Sequence, residues 1–146
     1  MSDLKNQIRA DLKEAMKARE KQRTNTLRML LAAIQTEEVS GTKHEIDDEA
    51  ILKLIAREIK KRKESAEVYT NAGRQELADN EQAEAEILAA YQPQQLTDEE
   101  LAALVASVIA GMDEPKMGPV MQAATKQAAG RVDGKRLSTA VRAALS

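Results

Sequence analysis

The sequence contains no cysteine, no phenylalanine and no tryptophan, and its only aromatic residues are Tyr69 and Tyr91. Without cysteine there is no disulfide, no thiolate nucleophile and no cysteine metal site. Histidine is almost absent too. A histidine metal site or a Ser-His triad would have to use His44, which sits in the polar stretch TKHEID and reads as a solvated loop residue. No apolar run reaches the length of a membrane span. The opening MSDLKNQIRADLKEAMK is charged and amphipathic where a signal peptide would be apolar. A cytoplasmic protein with no membrane partner is the expectation. Phosphate-binding loops are missing as well: neither GxGxxG nor GxxxxGK followed by Ser or Thr occurs. No cofactor, no metal and no catalytic residue is implied by these patterns.

What remains is a chain of 146 residues, 42% hydrophobic, whose core must be built from Leu, Ile, Val, Ala and Met. Such side chains suit helix packed on helix, so the expected fold class is all-α. Leu4, Ile8, Leu12 and Ala15/Met16 recur at helical spacing. The polar break AREKQRTNT follows, and Thr24 or Asn25 is the expected cap of a second helix carrying Leu27, Leu30, Leu31 and Ile34. SGTKHEIDD reads as a loop, with Gly41 as the stop. A third helix is expected from Asp47 to Asn71 with the stripe Ile51, Ile55, Ile59, Ala66 and Tyr69, ended by Gly73. A fourth carries Leu77, Ile87, Leu88 and Tyr91 and is stopped by Pro93.

YQPQQLTDEEL, residues 91–101, then reads as a connector entering a capping box: Thr97 with Glu100, flanked by Leu96 and Leu101 at staple spacing. Three shorter helices follow. Their apolar residues are Leu101, Leu104, Val105, Val108 and Ile109 before Gly111, then Met117, Val120, Met121 and Ala124, then Leu137, Val141 and Leu145. A boundary near residues 92–97 divides a four-helix N-terminal domain, 1–93, from a small three-helix C-terminal domain, 94–146.

Charge is unevenly distributed. The net charge is −2, yet residues 74–115 hold 1 basic and 10 acidic residues, and residues 116–146 hold 6 basic and 1 acidic. A basic tail of this kind permits a polyanion-binding face that the overall charge conceals. Its densest part is KMGPVMQAATKQAAGRVDGKR, with Lys116, Lys126, Arg131, Lys135 and Arg136 around helix ends and a turn. Backbone N–H groups at helix starts add to such a site for phosphate. The same residues also fit a plain solvated surface. Gly118 and Pro119 suit a helix start, Gly130 a helix end, and Val132-Asp133-Gly134 a turn.

A second basic run, REIKKRKES, holds Arg57, Lys60, Lys61, Arg62 and Lys63. On a helical wheel Arg62 alone falls on the face of Ile55, Ile59 and Ala66. There it must pair with a carboxylate of a neighbouring helix or contact a ligand in a groove. None of the carboxylates of residues 74–115 sits in an apolar setting that would raise its pKa.

AGRQEL (72–77), YQPQQLTDEEL (91–101) and MGPVM…GRVDGKRLSTAVRAAL resemble the YqeY-like proteins. That family shares its fold with the C-terminal tail of the B subunit of the aspartyl/glutamyl-tRNA amidotransferase. The similarity runs along essentially the whole chain. It implies a stand-alone helical module associated with tRNA or other structured RNA. It also implies an inherited label, carbon–nitrogen ligase with glutamine as amido-N-donor, that belongs to relatives carrying a catalytic cradle. By the resemblance, Met117, Gly118, Gly130 and Gly134 shape the RNA-facing surface, and Lys116, Lys126, Arg131, Lys135 and Arg136 meet phosphates. The alternative is a protein-interaction adaptor docking on an amidotransferase or an aminoacyl-tRNA synthetase.

Overall fold

The computed structural model describes residues 3–40 and 45–146. Gly41 and His44, the expected helix stop and loop histidine, lie outside the described residues. The rest is all-α, with no strand among the described residues. The helices are α1 (Asp3–Lys17), α2 (Lys21–Val39), α3 (Asp48–Asn71), α4 (Gln75–Ala89), α5 (Asp98–Ala110), α6 (Met117–Ala128) and α7 (Gly134–Leu145). Tertiary contacts fall into two compact units, residues 1–91 and 92–146.

In the N-terminal unit the core is aliphatic. Ile8, Leu27, Leu30, Ile34, Ile51, Ile55 and Leu88 are fully buried. Removing such side chains from water is the main stabilising contribution, at about 1.5–3 kcal/mol for each large one. The break between α1 and α2 is shorter than expected. Arg19 takes a left-handed φ of 59°, and Glu20 is the N-cap of α2. Thr24 and Asn25 therefore do not cap. Thr24 lies one turn before Leu27 on the same face, and its burial extends the helix back past the capping preference.

At α3 the sequence expectation and the structure agree closely. Asp47 is the N-cap and accepts from Ala50 N at 2.9 Å. Gly73, at φ 74°, lets the chain reverse into α4, with Arg74 N donating to Tyr69 O at 2.8 Å. Of the stripe expected for α4, Leu88 is buried and Ile87 and Tyr91 pack against the core, but Leu77 does not. Leu77 is 38% exposed, while Ala78, Ala85 and Leu88 are buried. The small side chains let α4 lie close along α3, and these two helices form the most extensive helix–helix contact of the chain. Two polar ties fix the unit further. Lys5 Nζ donates to Glu38 at 2.8 Å, and Tyr91 Oη donates to Asp11 Oδ2 at 2.5 Å. Burial, then the Asp11 carboxylate, push the Tyr91 phenol well above its ordinary range.

The C-terminal unit is built around Leu96, Leu101, Val105, Val108, Val120, Ala124, Leu137 and Val141, with Met117 and Met121 packed at its edge. α5 starts with the complete capping box: Glu100 N donates to Thr97 Oγ1 at 3.1 Å, and Thr97 N donates to Glu100 Oε1 at 3.0 Å. α6 ends in two consecutive left-handed residues, Ala129 at φ 48° and Gly130 at φ 80°. Asp133 then caps α7, accepting from Arg136 N at 2.7 Å.

Candidate nucleic-acid interface

The five nominated cations of the C-terminal unit separate into two kinds. Lys116, Lys126 and Lys135 are exposed, and none is paired with a carboxylate among the described residues. Lys116 is the N-cap residue of α6, Lys126 lies in its last turn, and Lys135 lies in the first turn of α7. Arg142, in the last turn of α7, is a fourth exposed cation that the sequence reading did not nominate. Its spacing from the GRVDGKR cluster hid it.

Arg131 and Arg136 are held differently, and only half exposed. Arg131 Nε donates to Gln94 O at 2.8 Å, and its Nη2 lies 3.8 Å from Glu100 Oε2. Arg136 Nη1 donates to Leu96 O at 3.0 Å, and its Nη2 donates to Asp98 Oδ1 at 2.7 Å. Each guanidinium thus has one arm on a backbone carbonyl of segment 94–96 and the other toward a carboxylate of α5. Leu96 N closes the arrangement by donating to Arg131 O at 2.8 Å. These arginines anchor the entry to α5 against the turn before α7. Their partners lie 31 to 40 residues away in sequence, so no local pattern announces them.

The pairing changes the electrostatic reading. Residues 116–146 are strongly basic as a segment, but the compact unit 92–146 holds 6 basic and 6 acidic residues. The start of α5 supplies the balance where the two arginines sit. Net charge in the unit is zero, and any cationic face depends on the placement of the lysines.

Among the nominated glycines, Gly130 needs its left-handed backbone. Gly118 and Gly134 have no positive φ, and a Cβ at either would meet open space. Met117 is half-buried against the core of the unit. Beside this surface, α5 and α7 border a groove of about 660 Å³. Leu101, Ala102, Val105, Ala140, Ala143 and Ala144 line its length, and Asp98, Asp133, Lys135 and Arg136 stand together along it.

In the N-terminal unit Arg62 is 6% exposed. Its Nη1 donates to Glu58 O at 3.2 Å and lies 3.7 Å from Glu58 Oε1, while Nε lies 3.5 Å from Glu84 Oε2 on α4. The Nε–H has no geometrically sound hydrogen bond among the described residues. The arginine is therefore an interhelical charge partner on the α3 face where the wheel put it. One expectation about acids is corrected here. Glu81, close to this pair, has its carboxyl pushed above the ordinary range by burial and then by Glu84, with Arg62 opposing. The sequence hid it because this burial arises only when the helices pack. Among the described residues, no group of three or more His, Cys, Asp or Glu could hold a metal.

Fold and site together define a small all-helical module whose notable side chains serve contact and packing. The chain belongs to the YqeY-like family, whose model matches residues 5–145. It is 35% identical over 125 residues to a Pyrenophora tritici-repentis protein named altered inheritance of mitochondria protein 41, mitochondrial, covering 78% of this chain and 67% of that one. A protein of the same name from Kluyveromyces lactis is 30% identical over 132 residues, covering 89% of this chain and 69% of that one. The one from Meyerozyma guilliermondii is 37% identical over 86 residues, 59% of this chain and 44% of that one. The chain thus covers about two thirds of two of these relatives and less than half of the third.

These names overturn the expectation of a cytoplasmic protein, since the relatives are mitochondrial. A missing apolar run argues against a secretory signal, but mitochondrial transit peptides are amphipathic and carry no such run. No helix among the described residues is long and apolar enough to cross a membrane.

Proposed function

We propose that this chain is a tRNA-associated helical module that binds RNA backbone and has no catalysis of its own. The observation that supports it most is the exposure of Lys116, Lys126 and Lys135 at the ends of α6 and α7, without carboxylate partners among the described residues. Cations so placed are available to phosphates, and the tail of the amidotransferase B subunit, whose fold the family shares, helps hold the body of a tRNA. Arg131 and Arg136 anchor segment 94–98, so reversing their charge would test the fold before it tested binding. The proper variant is Lys116→Ala/Lys126→Ala/Lys135→Ala. Binding to bulk tRNA, followed by fluorescence anisotropy at several salt concentrations, should weaken, and the slope of log K against log salt should fall by about one for each phosphate that is no longer neutralised. Unchanged affinity and slope would remove the proposed face.

The α5–α7 groove favours a second reading, an adaptor docking on an amidotransferase or an aminoacyl-tRNA synthetase. Its small, apolar lining suits an amphipathic helix. Recovery of such a partner after RNase treatment, abolished by Ala143→Glu, would move the weight to this reading. On either reading the two compact units are taken as separate folding domains.

A further inference from the structure

Asp98 and Glu100 both face arginines, but they are held in different ways. Glu100 is fixed by the capping box, because its Oε1 accepts from Thr97 N at 3.0 Å. Asp98 is 96% exposed, and its carboxylate is held by Arg136 Nη2. Arg136 does not need Asp98 to stay in place, since its Nη1 is tied to Leu96 O at 3.0 Å. The guanidinium is thus pre-positioned, with one arm anchored and one arm on a detachable anion. Lys135 is its neighbour, and both line the groove between α5 and α7.

We infer that Asp98 occupies a phosphate site formed by Arg136 and Lys135, and that a phosphate group displaces it. The inference rests on the RNA-binding reading for its physiological ligand, but the site itself is defined by this geometry. An exposed carboxylate–arginine pair is weak and readily screened. A phosphate brings more charge and more acceptor oxygens to the same donors. Asp98 is therefore a built-in competitor that keeps the site closed to weak anions and opens it to a polyanion. Because Glu100 remains in its cap, Arg131 stays anchored when Arg136 changes partner.

The test compares the full chain with Asp98→Asn and with Asp113→Asn. Each variant removes one acid from the C-terminal unit, but Asp113 lies beyond α5 and pairs with no cation among the described residues. Bulk tRNA binding is read by anisotropy at low salt, and inorganic pyrophosphate is titrated while the Lys135 and Arg136 NMR resonances are followed. Asp98→Asn should tighten tRNA binding about two- to fivefold and lower the pyrophosphate concentration that moves both residues, with Asp113→Asn doing much less. Equal effects of the two variants would overturn the displacement and leave the RNA reading standing. Pyrophosphate shifts at Arg136, enhanced in Asp98→Asn, without tRNA binding would keep the phosphate site and remove the RNA reading. No shift at either residue in any variant would overturn the site.

Discussion

Thr26 carries a fully buried hydroxyl with no hydrogen-bond partner among the described residues. A buried polar group left unsatisfied destabilises a fold by about 1–3 kcal/mol. Thr26→Val keeps the shape and removes the group, so it should raise stability by about 1 kcal/mol, read as a higher denaturant midpoint with an unchanged m-value. A lower midpoint would mean that the hydroxyl has a partner, such as a buried water. Glu81 makes a second prediction at this scale. Its folded pKa is raised, first by burial and then by Glu84. The charged form is disfavoured in the fold, so the penalty is present at neutral pH and fades as pH falls through the folded pKa. Glu81→Gln should raise the midpoint at pH 7 and change nothing well below the ordinary value of 4.5. Glu38 has the opposite sign. The hydrogen bond from Lys5 lowers its pKa more than burial raises it, so its stabilisation is present above the unfolded pKa and fades as pH falls through the folded one. Residues of this kind are only partly legible in sequence. The wheel placed Arg62 on the buried face, because a 3.6-residue period is local information. Its partner Glu84 and the burial of Glu81 depend on how α3 meets α4.

The helices themselves were mostly legible, since Asp47, Thr97 and Asp133 each stand where a helix starts. Thr24 shows the limit: the same chemistry within an apolar stripe continues the helix instead of capping it. The exit from α6 was the least legible feature. Gly130 marks the turn, but Ala129 before it is also left-handed, at φ 48°. An L residue with a Cβ is strained there by about 1–2 kcal/mol, while glycine gives back part of the gain as unfolded-chain entropy. Ala129→Gly should therefore stabilise the chain by roughly 0.5 kcal/mol, and Gly130→Ala should destabilise it by about 1 kcal/mol. A Cβ at Gly130 meets nothing within 4 Å, so that cost is purely conformational. Paired thermal melts would check both signs, and destabilisation by Ala129→Gly would contradict the strain.

For the whole molecule, the question is what the uneven charge does. Read along the chain, residues 116–146 are a basic tail. Read in space, Asp98 and Glu100 of α5 meet Arg136 and Arg131, and the compact unit has no net charge. Composition pointed to the lysines of the candidate face, while the ties of Arg131 and Arg136 to segment 94–100 exist only in the fold. Sequence distance concealed this, since the partner segments converge only when 94–98 folds against 130–136. Membership of the YqeY-like family supplies the module, and the RNA binding proposed for it rests on the three exposed lysines.

The most direct test is the affinity of the full chain for bulk tRNA at low and near-physiological salt, beside Lys116→Ala/Lys126→Ala/Lys135→Ala. The account predicts saturable binding that survives near-physiological salt and weakens in the triple variant, with a shallower salt slope. Binding that vanishes with salt in both proteins, or is equal in both, would contradict it and leave the lysines as a solvated surface.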